Sequence, residues 1–502
     1  MPKKVIIIGG GVAGLAAGIY GQLNGFDTEI IDMHIRCGGQ CTAWSREGYR
    51  FDNCLHWLVG TASGPFHDLW KETGVLNGDT RVLDHTVYLK LRDMQGNDFV
   101  IYANIDKWEE YLLAHFPEDE AAIRRMCHDM RKASSFELLT DPPALRSWTT
   151  YLRAARRMLP ALGVFMRYRK RTAREYFDDL NFRNLRLRTA LYDLFGDNGF
   201  SAVVFLMMLG WFHQKNAGYL IGGSLAVSDA MTAKYQSLGG RVTLGRAVKH
   251  ILVSEGMAVA VILEDGREMR GDYIISAADG HSTLFDMLKG KFLSRPIHDA
   301  YSTWPLYTPL VQVSFGIDRP LPASSSIEVF LAPGRTIGST ALERSYTLMN
   351  YSFDPTAAPE GKSVVALRFE SPWALWDGVD ETAYRLEKQR ILSDATALLE
   401  RHYPGIRSSI EVTDVSTPRT TRRITGVWKG AYEGFLPTNV NFYRTLPMTV
   451  PGLKNFYMAG QWLSPGGGLP PSALSGKWAI QLICRKERRT FRTQEAVMAI
   501  AE

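Results

Sequence analysis

"KKVIIIGGGVAGLAAGIYGQLNGFDTEIIDM", residues 3–33, decides how the rest of this 502-residue chain is read. Val5 to Ile8 is wholly apolar, as in a strand buried on both faces of a parallel sheet, and it runs directly into Gly9, Gly11 and Gly14. The residues that follow are small and apolar at helical spacing, and Asn24-Gly25 supplies a stop. "DTEIIDM" is then a second strand closing on Asp32 and Met33, roughly 20 residues beyond the glycines. In this order the first glycine makes the tight turn and the second lets backbone meet a pyrophosphate. The third lets helix and strand pack closely. Val12 and Ala13 at the helix start belong to the same cradle, and Asp32 is placed to accept hydrogen bonds from a ribose hydroxyl. An acid there disfavours NADP and leaves NAD and FAD open.

Two lysines before an apolar run also have the layout of a signal peptide, but the three spaced glycines break that run and the dinucleotide reading explains each of them. The length exceeds what one compact core supports, so two or three domains, or one with a large insertion, are expected. A hydrophobic share of 45% and a charged share of 22% exclude a disordered chain and a polytopic membrane protein. The longest apolar run, Phe200 to Phe212, is too short to span a bilayer, which takes about 20 residues. The five cysteines form no CxxC pair and leave one over, so neither a metal site nor a disulfide framework is expected, and a cytoplasmic location is the simplest reading.

"HIRCGGQCTAW", residues 34–44, separates NAD from FAD. Arg36 can neutralise phosphate, and Gly38-Gly39 lets backbone lie flat against a bulky ring. Gly9-x-Gly11-x-x-Gly14, Asp32 and Arg36-x-Gly38-Gly39, followed by "GYRFDNCLHWLVG", resemble the opening of the phytoene desaturase, carotenoid isomerase and retinol saturase family of FAD-dependent oxidoreductases, within the amine-oxidase-like superfamily. Residues 222–279, from "GGSLAVSDAM" to "YIISAAD", resemble the family's middle block. "NFYMAGQWLSPGGGLPPSALSGKWAIQLI", residues 455–483, resembles its closing flavin motif.

That resemblance implies FAD as cofactor and an α/β fold: a Rossmann-type FAD-binding domain, discontinuous in sequence (1–85, 215–295 and 440–490), with an inserted α+β substrate domain (86–214 and 296–439). It further implies that Val248 meets the adenine through its backbone and that Gln40, Gly460, Gln461, Gly467, Gly468, Pro471 and Ser472 complete the flavin site. Gly466 to Gly468 would form a collar against the ring, with Pro470-Pro471 stiffening the entry to a last helix whose free amides suit an electron-rich edge. The chain departs from the family at Gln40, where many members carry an arginine, and at Gln461, where an aspartate is common.

Between the blocks, residues 152–177 gather eight basic residues around a short apolar stretch. This suits membrane-facing helices near 145–180 and peripheral contact with an anionic bilayer; the alternative is a solvated helical face broken at Pro160. Nucleic acid is not expected, because no reader motif accompanies the charges. "FSAVVFLMMLGWFHQ" and "WPLYTPLVQVSF" read either as core or as the lining of a tunnel for a hydrophobic small-molecule substrate, with Trp428 and Tyr432 as candidate walls. No Ser-His-Asp set, HExxH helix or paired-cysteine motif assigns the hard step to side chains. His56 is a candidate proton carrier with Asp52 as its nearest acid, or else a structural histidine. The expected activity is introduction or removal of carbon–carbon double bonds in a lipophilic substrate, with oxygen, a quinone or NAD(P)H as electron partner. A non-redox cis–trans isomerase, a retinol saturase-like reductase and a non-enzymatic lipid escort are the alternatives.

Overall fold

A computed structural model describes residues 1–136, 139–196, 199–322 and 325–494. The apolar run at the N-terminus forms strand β1 (Lys4–Ile8), followed by helix α1 (Val12–Leu23) and strand β2 (Asp27–Ile31). β1 is the centre of a five-stranded parallel sheet ordered Arg241–Thr243, β2, β1, Tyr273–Ser276, Phe456–Met458. Burial on both faces is why Val5, Ile6 and Ile7 are wholly inaccessible to solvent, each contributing roughly 1.5–3 kcal/mol of hydrophobic stabilisation. The helices Gly223–Ser237 and Leu469–Lys486 pack against α1. Beside this sheet, Val248–Ser254, Met257–Leu263 and Glu268–Arg270 make an antiparallel meander that turns at Glu264–Gly266, where Gly266 has a φ of +84°.

A second, seven-stranded sheet is ordered Ile410–Ser416, Leu310–Ile317, Ser363–Glu370, Ser345–Asn350, Ile327–Leu331, Val87–Arg92, Asp98–Tyr102. Its neighbours are antiparallel except Ile327–Leu331 with Val87–Arg92. Helices between Ile105 and His213 form a separate apolar core, in which Trp108, Tyr176 and Phe205 are fully buried. Among the described residues no helix is long and apolar enough to cross a membrane.

Pro160 does not break its helix. The helix runs from Trp148 to Tyr168, opened by a capping box between Ser147 and Thr150. One proline removes one intrahelical donor, and Arg156, four residues earlier, lies on an exposed face where water substitutes for it. The basic segment therefore forms two helices, the second being Ala173–Leu180, with the side chains of Arg153 and Arg157 outside the described residues.

Candidate active site

The N-cap of α1, Gly11, supplies no side-chain cap and the first turn holds no acid, so the amides of Val12, Ala13 and Gly14 lack intrahelical acceptors. Gly9, Gly11, Val12 and Ala13 form one wall of a cavity of about 1350 Å³. Gly9 has a φ of +94°, and a Cβ on it would lie 2.9 Å from Ala277 O and Ala278 N. Gly14 faces away from the cavity: a Cβ there would lie 1.9 Å from Gly9 O, which makes it the packing glycine.

Asp32 closes β2 at the cavity's edge. Its Oδ2 accepts from Gly10 N at 2.6 Å and its Oδ1 from His34 N at 2.7 Å. Burial pushes the carboxyl above the usual range, and the two amide bonds partly offset that. Met33 and Val248 line the same end of the cavity. Gly38 and Gly39, with φ of +128° and +60°, bring the next loop against Gly11, and Gly38 N donates to Gly10 O at 2.9 Å. Arg36 departs from the sequence expectation. It pairs with Asp229 at 2.7 Å and is not part of the cavity wall.

From the other end of the chain, Gly460, Gln461, Gly468, Pro471 and Ser472 line the cavity. Gly467 does not: a Cβ on it would lie 2.6 Å from Gln461 O and 2.7 Å from Glu433 O, so it lets the collar close on those two residues. The last helix starts at Leu469, so Pro470 and Pro471 stand inside its first turn and not at its entry, and Ser472 N is bonded to Gly468 O at 3.3 Å. Prolines have no N–H, so the first turn of this helix offers only one free amide, that of Leu469, fewer than expected from sequence.

 The positive end of the helix dipole still faces the cavity, with Leu469 contributing its one unpaired first-turn amide.

Gln40 and Gln461, the two departures from the family pattern, touch one another. Gln40 Nε2 donates to Gln461 Oε1 at 3.0 Å, while the buried Gln40 Oε1 has no hydrogen-bond partner. A neutral amide pair thus stands where charged residues are common.

His56 lines the cavity, but Asp52 is not its partner. The Asp52 carboxylate is consumed by the amides of Cys54, Leu55 and Ser224 and by the Ser224 hydroxyl. His56 Nε2 instead accepts from Arg368 Nη1 at 2.6 Å, and burial followed by the nearby guanidinium holds the imidazole well below its usual pKa. A neutral ring whose Nε2 is occupied is a poor proton acceptor. Arg368, 5% exposed, also donates to Gln312 Oε1 at 2.7 Å and to the carbonyls of Asp52 and Asn53 at 2.9 and 3.2 Å. Tyr432 lines the cavity as expected, whereas Trp428 stacks on His281 at 4.5 Å and 10° and joins an aromatic cluster with Tyr301 and Trp462.

The unsatisfied amides of α1, the tight turn at Gly9 that leads β1 into them, the carboxylate at the end of β2 and the orphaned Gln40 Oε1 fit a dinucleotide lying along this wall. The family model for flavin-containing amine oxidoreductases matches residues 12–484. The chain belongs to that family. It is an FAD-dependent oxidoreductase of Rossmann-type α/β fold, and the lipid-escort reading falls with that assignment. In such a flavoprotein the bound FAD supplies hydride transfer, while the chain supplies binding, orientation and proton handling.

Among curated relatives, this flavoprotein is 23% identical to a 4,4'-diapolycopen-4-al dehydrogenase of Metabacillus indicus over 96% of both chains. It is 25% identical to a neurosporene-forming phytoene desaturase of Cereibacter sphaeroides, over 93% of this chain and 92% of the relative. Identity to a chloroplastic prolycopene isomerase of Arabidopsis thaliana is 22%, over 94% of this chain and 81% of the relative. Among solved structures, an oxidoreductase from Methanosarcina mazei superposes with a TM-score of 0.61 at 15% identity, covering 96% of this chain and 99% of that one. A putrescine oxidase gives 0.58 at 14% identity, covering 97% and 100%; both likenesses concern the fold.

Several residues of the site escaped the sequence reading. Arg368 interrupts the apolar strand "SVVALRFE", whose one other charge is the terminal Glu370, and Glu433 lies between aromatic residues in "AYEGF"; each is a charge in an apolar setting, which is the signal that marks them. Gln312 and Tyr307 lie in the segment "WPLYTPLVQVSF" read as core or tunnel lining, but no such signal marked them individually.

Proposed function

We propose that this flavoprotein introduces or removes carbon–carbon double bonds in an extended, lipophilic polyene or isoprenoid-like substrate. The observation that carries this reading is the cavity itself. It continues from the dinucleotide wall into an apolar chamber lined by Met158, Phe165, Val204, Met207, Trp211 and Phe442, large enough for a long chain laid against the cofactor. The names of the relatives, carotenoid desaturases and a dehydrogenase of a carotenoid aldehyde, support the substrate class. The prolycopene isomerases among them support a second reading, cis–trans isomerisation without net electron transfer.

The substrate enters from a bilayer. Helix Trp148–Tyr168 presents Trp148, Leu159 and Met166 to solvent at 74, 64 and 56% exposure, while its Met158 and Phe165 line the cavity. Exposed Arg156, Arg167, Lys170, Arg171 and Arg174 flank those apolar residues and complement anionic headgroups. We assign the chain to the cytoplasmic side of a membrane as a peripheral protein.

The deciding experiment mixes the yellow holoenzyme anaerobically with liposomes carrying phytoene, 4,4'-diapophytoene or prolycopene. Bleaching of the oxidised flavin band with formation of a more conjugated product supports desaturation. Photochemically pre-reduced enzyme that is reoxidised by a polyene supports saturation, and a changed cis–trans pattern with constant flavin state supports the isomerase. Oxygen, a quinone or NAD(P)H added afterwards identifies the electron partner. No change in flavin or lipid with any of the three would overturn the reading.

A further inference from the structure

The segment around Leu306 runs beside the one around Phe435. Tyr307 N donates to Gly434 O at 3.1 Å and Leu436 N to Pro305 O at 2.8 Å, with a bridge between Leu306 and Phe435. This register sets Tyr307 next to Glu433, and the Tyr307 hydroxyl donates to the Glu433 carboxylate. The Tyr307 and Tyr432 rings pack at 5.0 Å. Glu433 also touches the glycine collar: its Oε1 lies 3.8 Å from where a Cβ on Gly468 would stand, and its carbonyl 2.7 Å from one on Gly467. Tyr307, Tyr432, Glu433, Gln461 and Gly468 all line the cavity.

Among the described residues, no lysine or arginine pairs with Glu433, and Tyr307 is the side chain hydrogen-bonded to it. Tyr432 is the next titratable neighbour, with Glu370 and Arg368 reaching it from the seven-stranded sheet. Burial holds the Glu433 carboxyl above the ordinary glutamate range, and the Tyr307 hydrogen bond partly opposes that. A structural acid in such a place would have a cationic partner or several amide donors. Glu433 has instead one hydroxyl and an open face toward the chamber.

We infer that Glu433 is the proton-transfer residue of this active site, exchanging a proton with the substrate carbon adjacent to the one that exchanges hydride. The inference rests on the double-bond chemistry proposed above. In desaturation, one C–H bond leaves as hydride to oxidised FAD and the neighbouring C–H yields its proton to the ionised Glu433 carboxylate. The electron pair of that second bond becomes the π bond, so the products are an alkene, two-electron-reduced FAD and a protonated Glu433. In saturation the same atoms run backwards.

The test uses full-length holoenzyme with wild-type, Glu433→Gln and Tyr307→Phe chains. Without any substrate, titration of the bound flavin's visible spectrum against pH should show a step in the wild type that Glu433→Gln abolishes. Tyr307→Phe should move that step to higher pH, because it removes the hydrogen bond that favours the ionised form. With phytoene in liposomes, flavin bleaching in Glu433→Gln should slow by about a hundredfold or more, with FAD content and urea midpoint kept. A spectral step that survives Glu433→Gln, or that Tyr307→Phe moves to lower pH, overturns the inference, as does wild-type bleaching by Glu433→Gln. If no polyene bleaches even the wild type, the function reading fails, and the spectral step still decides for or against Glu433.

Discussion

Replacing Gly14 by alanine should do more damage than its single added methyl suggests. Its Cβ would lie 1.9 Å from Gly9 O, whereas ordinary contact begins near 3.4 Å, so α1 would have to retreat from β1 by about 1.5 Å. Retreat is blocked. Helix Leu469–Lys486 approaches from the other side so closely that a Cβ on Gly476 would sit 2.2 Å from Ala13 O, and the Tyr235 ring lies 2.7 Å from a Cβ position on Gly18. With no soft direction, the cost is about 3 kcal/mol or more, at the upper end of overpacking penalties. The same displacement carries away the Val12 and Ala13 amides, so bound FAD should fall to a minor fraction of the chains. Gly25→Ala is the control: its φ is +72° but no heavy atom lies within 4 Å of the added Cβ, so only backbone strain of about 1–2 kcal/mol is expected, with full FAD. Urea unfolding followed by tryptophan fluorescence, with FAD per chain measured after denaturing release, compares the two. A Gly14→Ala protein as yellow and as stable as Gly25→Ala would refute the close-packing argument.

Asp32→Ala deprives the Gly10 and His34 amides of their acceptor and should weaken FAD binding about tenfold to hundredfold, read by flavin fluorescence on titrating apoprotein; an unchanged affinity counts against Asp32 as a ribose-edge residue. His56 is held well below its usual pKa by burial and then Arg368, and His402 is lowered to about 4 by burial and then Arg92. The unfolded chain therefore binds more protons below about pH 6.5, so their contribution to stability is complete above that pH and is lost as pH falls toward 4. Urea midpoints should drop across that window and drop less steeply in His402→Gln; a parallel decline would show that His402 does not contribute. Leu159→Ser and Met166→Ser should each reduce co-sedimentation with phosphatidylglycerol vesicles by about tenfold while leaving FAD content intact, whereas equal binding would place the membrane-contacting surface elsewhere.

Residues that act through the backbone were legible in the sequence, because their side chains, or the lack of them, encode the chain's path. Gly9, Gly11 and Gly14 with β1 and β2 fixed the parallel sheet's centre, and the apolar alternation on either side of Glu264–Gly266 gave the meander. Residues that act through a partner far away in sequence were not. Arg36 read as a phosphate ligand until Asp229, 193 residues away, took it, and His56 read as an Asp52 partner until Arg368, 312 residues away, reached its Nε2. Nearness in sequence is a poor guide to charge pairing when two sheets and a helical layer meet at one cavity. In the closing motif Pro470-Pro471 read as the entry to the last helix, whereas they stand inside it, because prolines are tolerated in a first helical turn.

The placement of Arg368 bears directly on what Glu433 can do. Both line the same cavity, with Tyr432 between them feeling both charges. Were the guanidinium free to swing onto the carboxylate, the buried pair would lock Glu433 in its ionised form and remove it as a proton donor. Arg368 does not swing, because four neutral acceptors hold it: Gln312, His56 and the carbonyls of Asp52 and Asn53. Two of those are main-chain groups of the loop that also carries His56, and Asn53 bonds onward to Gln40 O at 3.2 Å. The cation is thereby tied to the Gln40–Gln461 side of the cavity, and the acid is left with a single hydroxyl partner. On this view His56 serves the chemistry by staying neutral: an imidazolium at that position could not accept the Arg368 hydrogen bond, and the guanidinium would lose one of the four contacts that keep it from Glu433.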